Sequence, residues 1–145
     1  MRRAGLPFVA LALAALGALS TGEAAAQETF TLTSPAFENH GTIPLRHSAY
    51  GDNLSPALNW TGAPAETRSF ALVLDDPDAN NFVHWVIYNI PGSATGLPEG
   101  IPAEAEVDNP QGARQGLNGL RRTAYFGPRP PAGAPHHYNF RLYAL

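Results

Sequence analysis

Asp76, His84, His136 and Tyr138 are the residues of this chain whose types could do chemistry together. Asp76 lies in Asp75-Asp76-Pro77-Asp78, His84 in Val83-His84-Trp85, and the other two in Pro135-His136-His137-Tyr138. An oxyanion needs hydrogen-bond donors fixed around a hollow, and imidazoles supply them while changing charge near neutral pH. A carboxylate alone would repel the anion. Its useful place is behind a ring, accepting one imidazole N–H so that the other nitrogen points inward, and raising that ring's pKa. Tyr138 adds a neutral hydroxyl donor, and the glycine-rich and proline-rich stretch 127–133 would let backbone amides approach closely. A pocket of this kind binds best in mildly acidic conditions.

Each of these residues also has a purely structural reading. A histidine that begins a strand is commonly a half-buried structural residue. Asp76 followed by Pro77 is a good turn opener, because an aspartate bonds to its own downstream backbone. Asp75 and Asp78 read as turn or solvated acids, Trp60 and Trp85 as core, and Tyr88 and Tyr143 as tyrosines with polar tips at the surface. His40 and His47 flank the expected turn Gly41-Thr42-Ile43-Pro44 and carry no assigned role. Two histidines and one carboxylate could also hold a metal, or form a general base with an orienting acid. No His-Glu-x-x-His spacing supports that, and neither Ser55 nor Ser69 sits in a nucleophile elbow.

The elements that must position these side chains are strands. Helical periodicity is nearly missing, and short strand-like runs are separated by turn residues, so the chain reads as all-β. Strands are expected over 30–33, 69–74, 83–90 and 138–145. The run SFALVL at 69–74 is mostly apolar, as for a strand covered on both faces. Period-2 geometry puts His84, Val86, Tyr88 and Ile90 on one face of the third strand and Val83, Trp85, Ile87 and Asn89 on the other. In the last strand Tyr138, Phe140, Leu142 and Ala144 share a face, which His136 joins if the strand extends backward. The Pro-rich and Gly-rich stretch 91–122 reads as a long surface connection, functional or mobile.

Residues 1–26 read as a secretory signal peptide: Arg2 and Arg3, an apolar run over 8–19, then Ala24-Ala25-Ala26. An apolar run of roughly a dozen residues is too short to span a bilayer. Its removal takes two of the nine basic residues and one of the twelve acids, leaving a net charge of about −4 on residues 27–145, read as one domain. Only Arg121 and Arg122 adjoin, so nucleic acid is excluded as a partner. The chain has neither lysine nor cysteine. That rules out Schiff bases, thiolate nucleophiles, disulfides and cysteine metal sites. No cofactor is implied, and the expected destination is secreted, in the periplasm.

Several segments in order carry a resemblance: Phe30 through Phe37, Asn53 through Trp60, the Asp-Pro-Asp segment, His84 through Pro91, Gly127 through Pro131, and His136-His137-Tyr138. Together they resemble the phosphatidylethanolamine-binding protein family, and within it the bacterial Raf-kinase-inhibitor-like branch. The resemblance implies an antiparallel β-sandwich with a small anion pocket that takes phosphate, phosphomonoesters or phospholipid head groups without catalysis. It places Asp76, His84, His136 and Tyr138 in that pocket and Pro130 and Pro131 on its rim. Asn80 stands where the family motif has proline, His137 where it has arginine, and Phe82 where eukaryotic relatives carry an aromatic wall. The family continues past the position of Leu145 through a further strand and a C-terminal helix, which this chain is therefore expected to lack. Relatives described as inhibitors of kinases or of a serine carboxypeptidase make a protein target the alternative function, and a metal-dependent hydrolase a more remote one.

Overall fold

The computed structural model describes residues 28–145, so the segment read as a signal peptide lies outside the described residues. One sheet holds β1 (Thr31–Thr33), β2 (Leu58–Thr61) and β5 (Gly96–Leu97), in the order β1-β2-β5. The other holds β3 (Ser69–Asp76), β4 (Phe82–Pro91), β6 (Arg114–Gln115) and β7 (Asn139–Ala144), in the order β6-β4-β3-β7. All of these pairings are antiparallel. Among the described residues the only helical turns are two short 3-10 turns, Leu45–His47 and Pro77–Ala79.

The two sheets face each other across an apolar core. Phe70, Leu72 and Leu74 of β3 and Trp85, Ile87 and Ile90 of β4 meet Leu58 and Trp60 of β2 and Leu97 of β5, all buried. The Trp60 and Phe70 rings approach to 5.2 Å between centroids. Burying each such side chain contributes about 1.5–3 kcal/mol, which is what holds sheet to sheet. The alternate residues of β3, Ser69, Ala71 and Val73, are only half-buried, so its second face is less covered than the apolar run implied.

β4 departs from strict alternation in two places, and the first positions the site. Leu74 pairs with Trp85 but Asp75 pairs with Val83, so His84 is an extra residue with no partner of its own on β3. A bulge re-aims the side chains around it. His84 and Trp85 are consequently both buried, although they are neighbours in sequence. The second shift lies between the pairs Phe70–Ile90 and Leu72–Ile87, where Asn89 takes a left-handed φ of 54°. Ile87 and Ile90 therefore both reach the core, where simple alternation put them on opposite faces.

β7 follows its pattern: Tyr138, Phe140, Leu142 and Ala144 pack on the core while Arg141 and Tyr143 are exposed. Because β7 begins at Asn139, His136 belongs to the loop ahead of it. The 91–122 segment is no surface meander, since it contributes β5 and β6 and buries Ile101, Val107 and Ala113. Gln115 pins it: the Trp85 indole N–H donates to its side-chain oxygen at 2.7 Å. Its amide donates to the carbonyls of Pro102 and Glu104 at 2.6 and 2.7 Å.

Candidate functional site

Asp76 ends β3, and its two carboxylate oxygens have separate tasks. Oδ1 accepts the backbone N–H groups of Asp78 and Ala79 at 2.9 and 3.0 Å, capping the 3-10 turn that starts β3's return to β4. Oδ2 accepts the Nδ1–H of His136 at 2.7 Å and lies 4.0 Å from Nε2 of His84. The turn-opening and ring-orienting readings of Asp76 are thus both realised, one on each oxygen.

A second pair runs alongside. Asp78 Oδ2 accepts the His137 backbone N–H at 2.6 Å and its ring Nδ1–H at 2.8 Å. Those two bonds hold the Asp78 carboxyl below its ordinary value. Two acids on one turn thereby grip two consecutive histidines on the loop before β7, which fixes His136 although no strand carries it.

His84 is placed by Phe126, a residue that sequence reasoning missed. The Phe126 backbone N–H donates to the His84 carbonyl at 3.0 Å, and the His84 Nδ1–H donates to the Phe126 carbonyl at 2.7 Å. The two rings stack at 5.3 Å and 4°. Phe82 and Tyr138 close the box edge-on, at 4.9 and 5.3 Å from the imidazole. A carbonyl carries no residue-type signal, so only the aromatic pair Tyr125-Phe126 beside Gly127 could have hinted at this wall.

Burial in that aromatic box pushes the His84 pKa down, outweighing the Phe126 bond and the charge of Asp76, which raise it. The expectation that Asp76 would raise the pocket imidazole's pKa therefore fails at His84, where desolvation wins. The same balance sets a pH dependence. Below about 6.5 the unfolded chain's imidazole takes a proton that the folded ring resists. Stability should fall as pH drops from there toward the lower folded value, and His84→Asn should flatten that part of a denaturation-versus-pH series.

The Tyr138 hydroxyl is buried without a hydrogen-bond partner. Burial first, and the nearby Asp76 charge second, push its pKa up to about 12, so it stays a donor at every physiological pH. Pro130 is half-buried and its carbonyl accepts the Tyr50 hydroxyl at 2.8 Å, whereas Pro131 is exposed. The Gly127 amide is taken by Asn53 Oδ1 at 2.7 Å and is not free for a ligand. Beside the cluster runs an open groove of about 1130 Å³, on whose wall His136, Tyr138, Pro128 and Pro130 lie. Asp76 and His84 are almost wholly buried, so His136 and Tyr138 form the side of the cluster that meets this groove.

Residues 33–145 match the family model described as phosphatidylethanolamine-binding protein. The chain belongs to that family. It is 48% identical over 116 residues to a UPF0098 protein of Methanothermobacter thermautotrophicus, covering 79% of this chain and 75% of that one. It is 40% identical over 129 residues to the proposed lipoprotein LppC of Mycobacterium tuberculosis, covering 87% of this chain and 60% of that one. Among solved structures it is similar to Escherichia coli YbcL, described as a member of the mammalian phosphatidylethanolamine-binding family. That likeness has a TM-score of 0.72 at 34% identity, over 80% of this chain and 76% of that one.

The departure of this family member from the family motif at Asn80 now has a physical reading. Asn80 sits in the left-handed region at φ 55°, and Asn81 follows at 56°. Proline, fixed near −65°, cannot take that conformation, while asparagine tolerates it. Asp75, read as a turn or solvated acid, is buried, with Oδ2 in an ion pair 3.0 Å from Arg141 Nη2 and Oδ1 without a partner. His47, assigned no role, is fully buried, with Nδ1 donating to the Leu54 carbonyl at 2.9 Å. Among the described residues no helix is long and apolar enough to cross a membrane.

Proposed function

We propose that this member of the phosphatidylethanolamine-binding family binds a small phosphate-bearing anion or phospholipid head group at Asp76, His84, His136 and Tyr138, without catalysis. Pro130 and Pro131 form the rim. The observation that carries this reading is the Tyr138 hydroxyl: a buried donor with no protein partner, beside two imidazoles that converge on one oxygen of Asp76. A buried hydroxyl left unpaired costs free energy, so a ligand oxygen that accepts from it recovers that cost on binding. The N-terminal signal pattern and the likeness to a proposed lipoprotein support export as its setting.

Tyr138→Phe tests the reading. Phosphorus NMR titration with inorganic phosphate and with phosphoethanolamine should show saturable binding by the wild-type chain and about tenfold weaker binding by the variant. Thermal stability should hold or rise slightly, because the removed hydroxyl makes no bond in the free protein. Absence of saturable binding by the wild type would end the proposal.

A further inference from the structure

We propose that the loop at 117–122, outside the candidate pocket, docks the protein on an anionic lipid bilayer. Leu117 and Leu120 enter the interfacial region, and Arg121 and Arg122 engage lipid phosphates. The proposal goes beyond the anion-binding reading and does not require it.

The side chains of the loop carry the first step. Leu117 is 59% exposed and Leu120 44%, on a surface where burial of either would be favourable. Beside them stand the only adjacent arginines among the described residues. Arg46, Arg114 and Arg141 each pair with a carboxylate, and Arg129 lies over the Tyr50 ring. Among the described residues no carboxylate lies within ion-pair distance of Arg121 or Arg122, and Asp78 on the β3–β4 turn is engaged by His137. On a chain of negative net charge, this is a local patch of uncompensated cation and bare leucine. An anionic bilayer complements both.

The backbone of the loop favours a lipid surface over a protein one. Every N–H from Asn118 to Arg122 is already satisfied. Asn118 and Arg121 donate to the carbonyls of Arg122 and Asn118 at 2.9 and 2.8 Å, and Gly119 donates to that of Val83 at 2.7 Å. Leu120 and Arg122 donate to the Asn118 Oδ1 at 2.9 and 3.1 Å. A segment with paired amides can leave bulk water without a desolvation cost for each N–H. What it still offers is apolar surface and point charge, which need no directional partner.

Gly119 fixes where the loop sits. A Cβ there would lie 2.4 Å from the Phe82 ring, and that ring stands edge-on to His84. A docked loop therefore holds the His84 end of the sandwich against the head groups.

A probe on the loop itself tests this in the full chain. Because the chain has no cysteine, Leu120→Cys accepts a single environment-sensitive fluorophore, and Ala65→Cys, in the β2–β3 connection at the other end of β3, is the control. The label at 120 should shift to the blue on vesicles of phosphatidylcholine with phosphatidylglycerol. It should shift far less on phosphatidylcholine alone, and the label at 65 should not respond. Arg121→Gly with Arg122→Gln removes both charges, and glycine suits the φ of 61° at 121. An arginine near an anionic surface contributes about fivefold to partitioning, so this pair should raise the half-maximal lipid concentration at least about tenfold. Leu117→Ser should raise it about fivefold. Excess soluble phosphoethanolamine should leave the shift in place. No shift at 120, an equal shift at 65, or a shift indifferent to the arginines would overturn the proposal, whatever the result of phosphate titration. Abolition by phosphoethanolamine would overturn it too, because the pocket and not the loop would then hold the lipid.

Discussion

Asp76→Ala is expected to abolish measurable phosphate binding and to cost roughly 2.5–5 kcal/mol of folding stability, more than any other single change in the cluster. The size follows from the two separate oxygens. Losing Oδ1 uncaps the Pro77–Ala79 turn, which leaves the Asp78 and Ala79 amides without acceptors and costs about 1–2 kcal/mol. Losing Oδ2 removes the bond to His136, a charge-assisted contact worth about 1.5–3 kcal/mol when partly buried. The loop before β7 would then be held to the turn only by the exposed Asp78–His137 pair, and His136 would no longer be fixed opposite His84.

Asp76→Asn separates the two tasks, since its carbonyl oxygen keeps the cap. It should retain most of the stability while still changing binding. Urea denaturation and phosphate titration of both variants provide the check. Equal stability of Asp76→Ala and wild type would mean that the cap and the ring contact contribute nothing.

The strand order of types was legible in the sequence because alternation and turn residues report on burial directly. β3, β4 and β7 fall within two residues of their expected bounds, and the β7 face comprising Phe140, Leu142 and Ala144 packs as read. What alternation cannot report is a residue inserted into a ladder. The bulge at His84 adds one residue to β4 relative to β3, and nothing in Val83-His84-Trp85 distinguishes that from an ordinary pair. The candidate residues were legible for a different reason: carboxylate, imidazole and phenol are recognisable by type wherever they fall.

The environment of those residues was not legible. The His84 pKa is set by rings from β4, from Phe126 and from Tyr138 just ahead of β7, three separate stretches of the chain. Its orientation comes from a backbone carbonyl that any residue could supply. The charge sign of an isolated Asp–His pair can be read from types alone, but the outcome of desolvation against attraction needs coordinates.

Gln115→Leu should destabilise the fold by about 3 kcal/mol, lowering the melting temperature by roughly 10 °C, although it replaces a polar residue in the core with an apolar one of similar size. Buried area alone predicts the opposite sign. The deciding quantity is the number of partners stranded. The Trp85 indole N–H and the Pro102 and Glu104 carbonyls all lose their hydrogen bonds together, and each unpaired buried group costs about 1–3 kcal/mol before relaxation.

Gln115 also couples distant parts of the sandwich. It joins Trp85, next to His84 on β4, to the 98–113 stretch that carries the buried Ile101 and Val107. Glu104 and Glu106 are already exposed, so loosening the backbone around them should let a glutamate-specific protease cut there faster in the variant, well below its melting temperature. Because Trp85 is fully buried against the Tyr125 ring at 5.5 Å, its fluorescence reports the same loosening independently. If the proteolysis rate and Trp85 emission both match the wild type, Gln115 only fills space, and the 91–122 segment must owe its order to Ile101, Val107 and Ala113 instead.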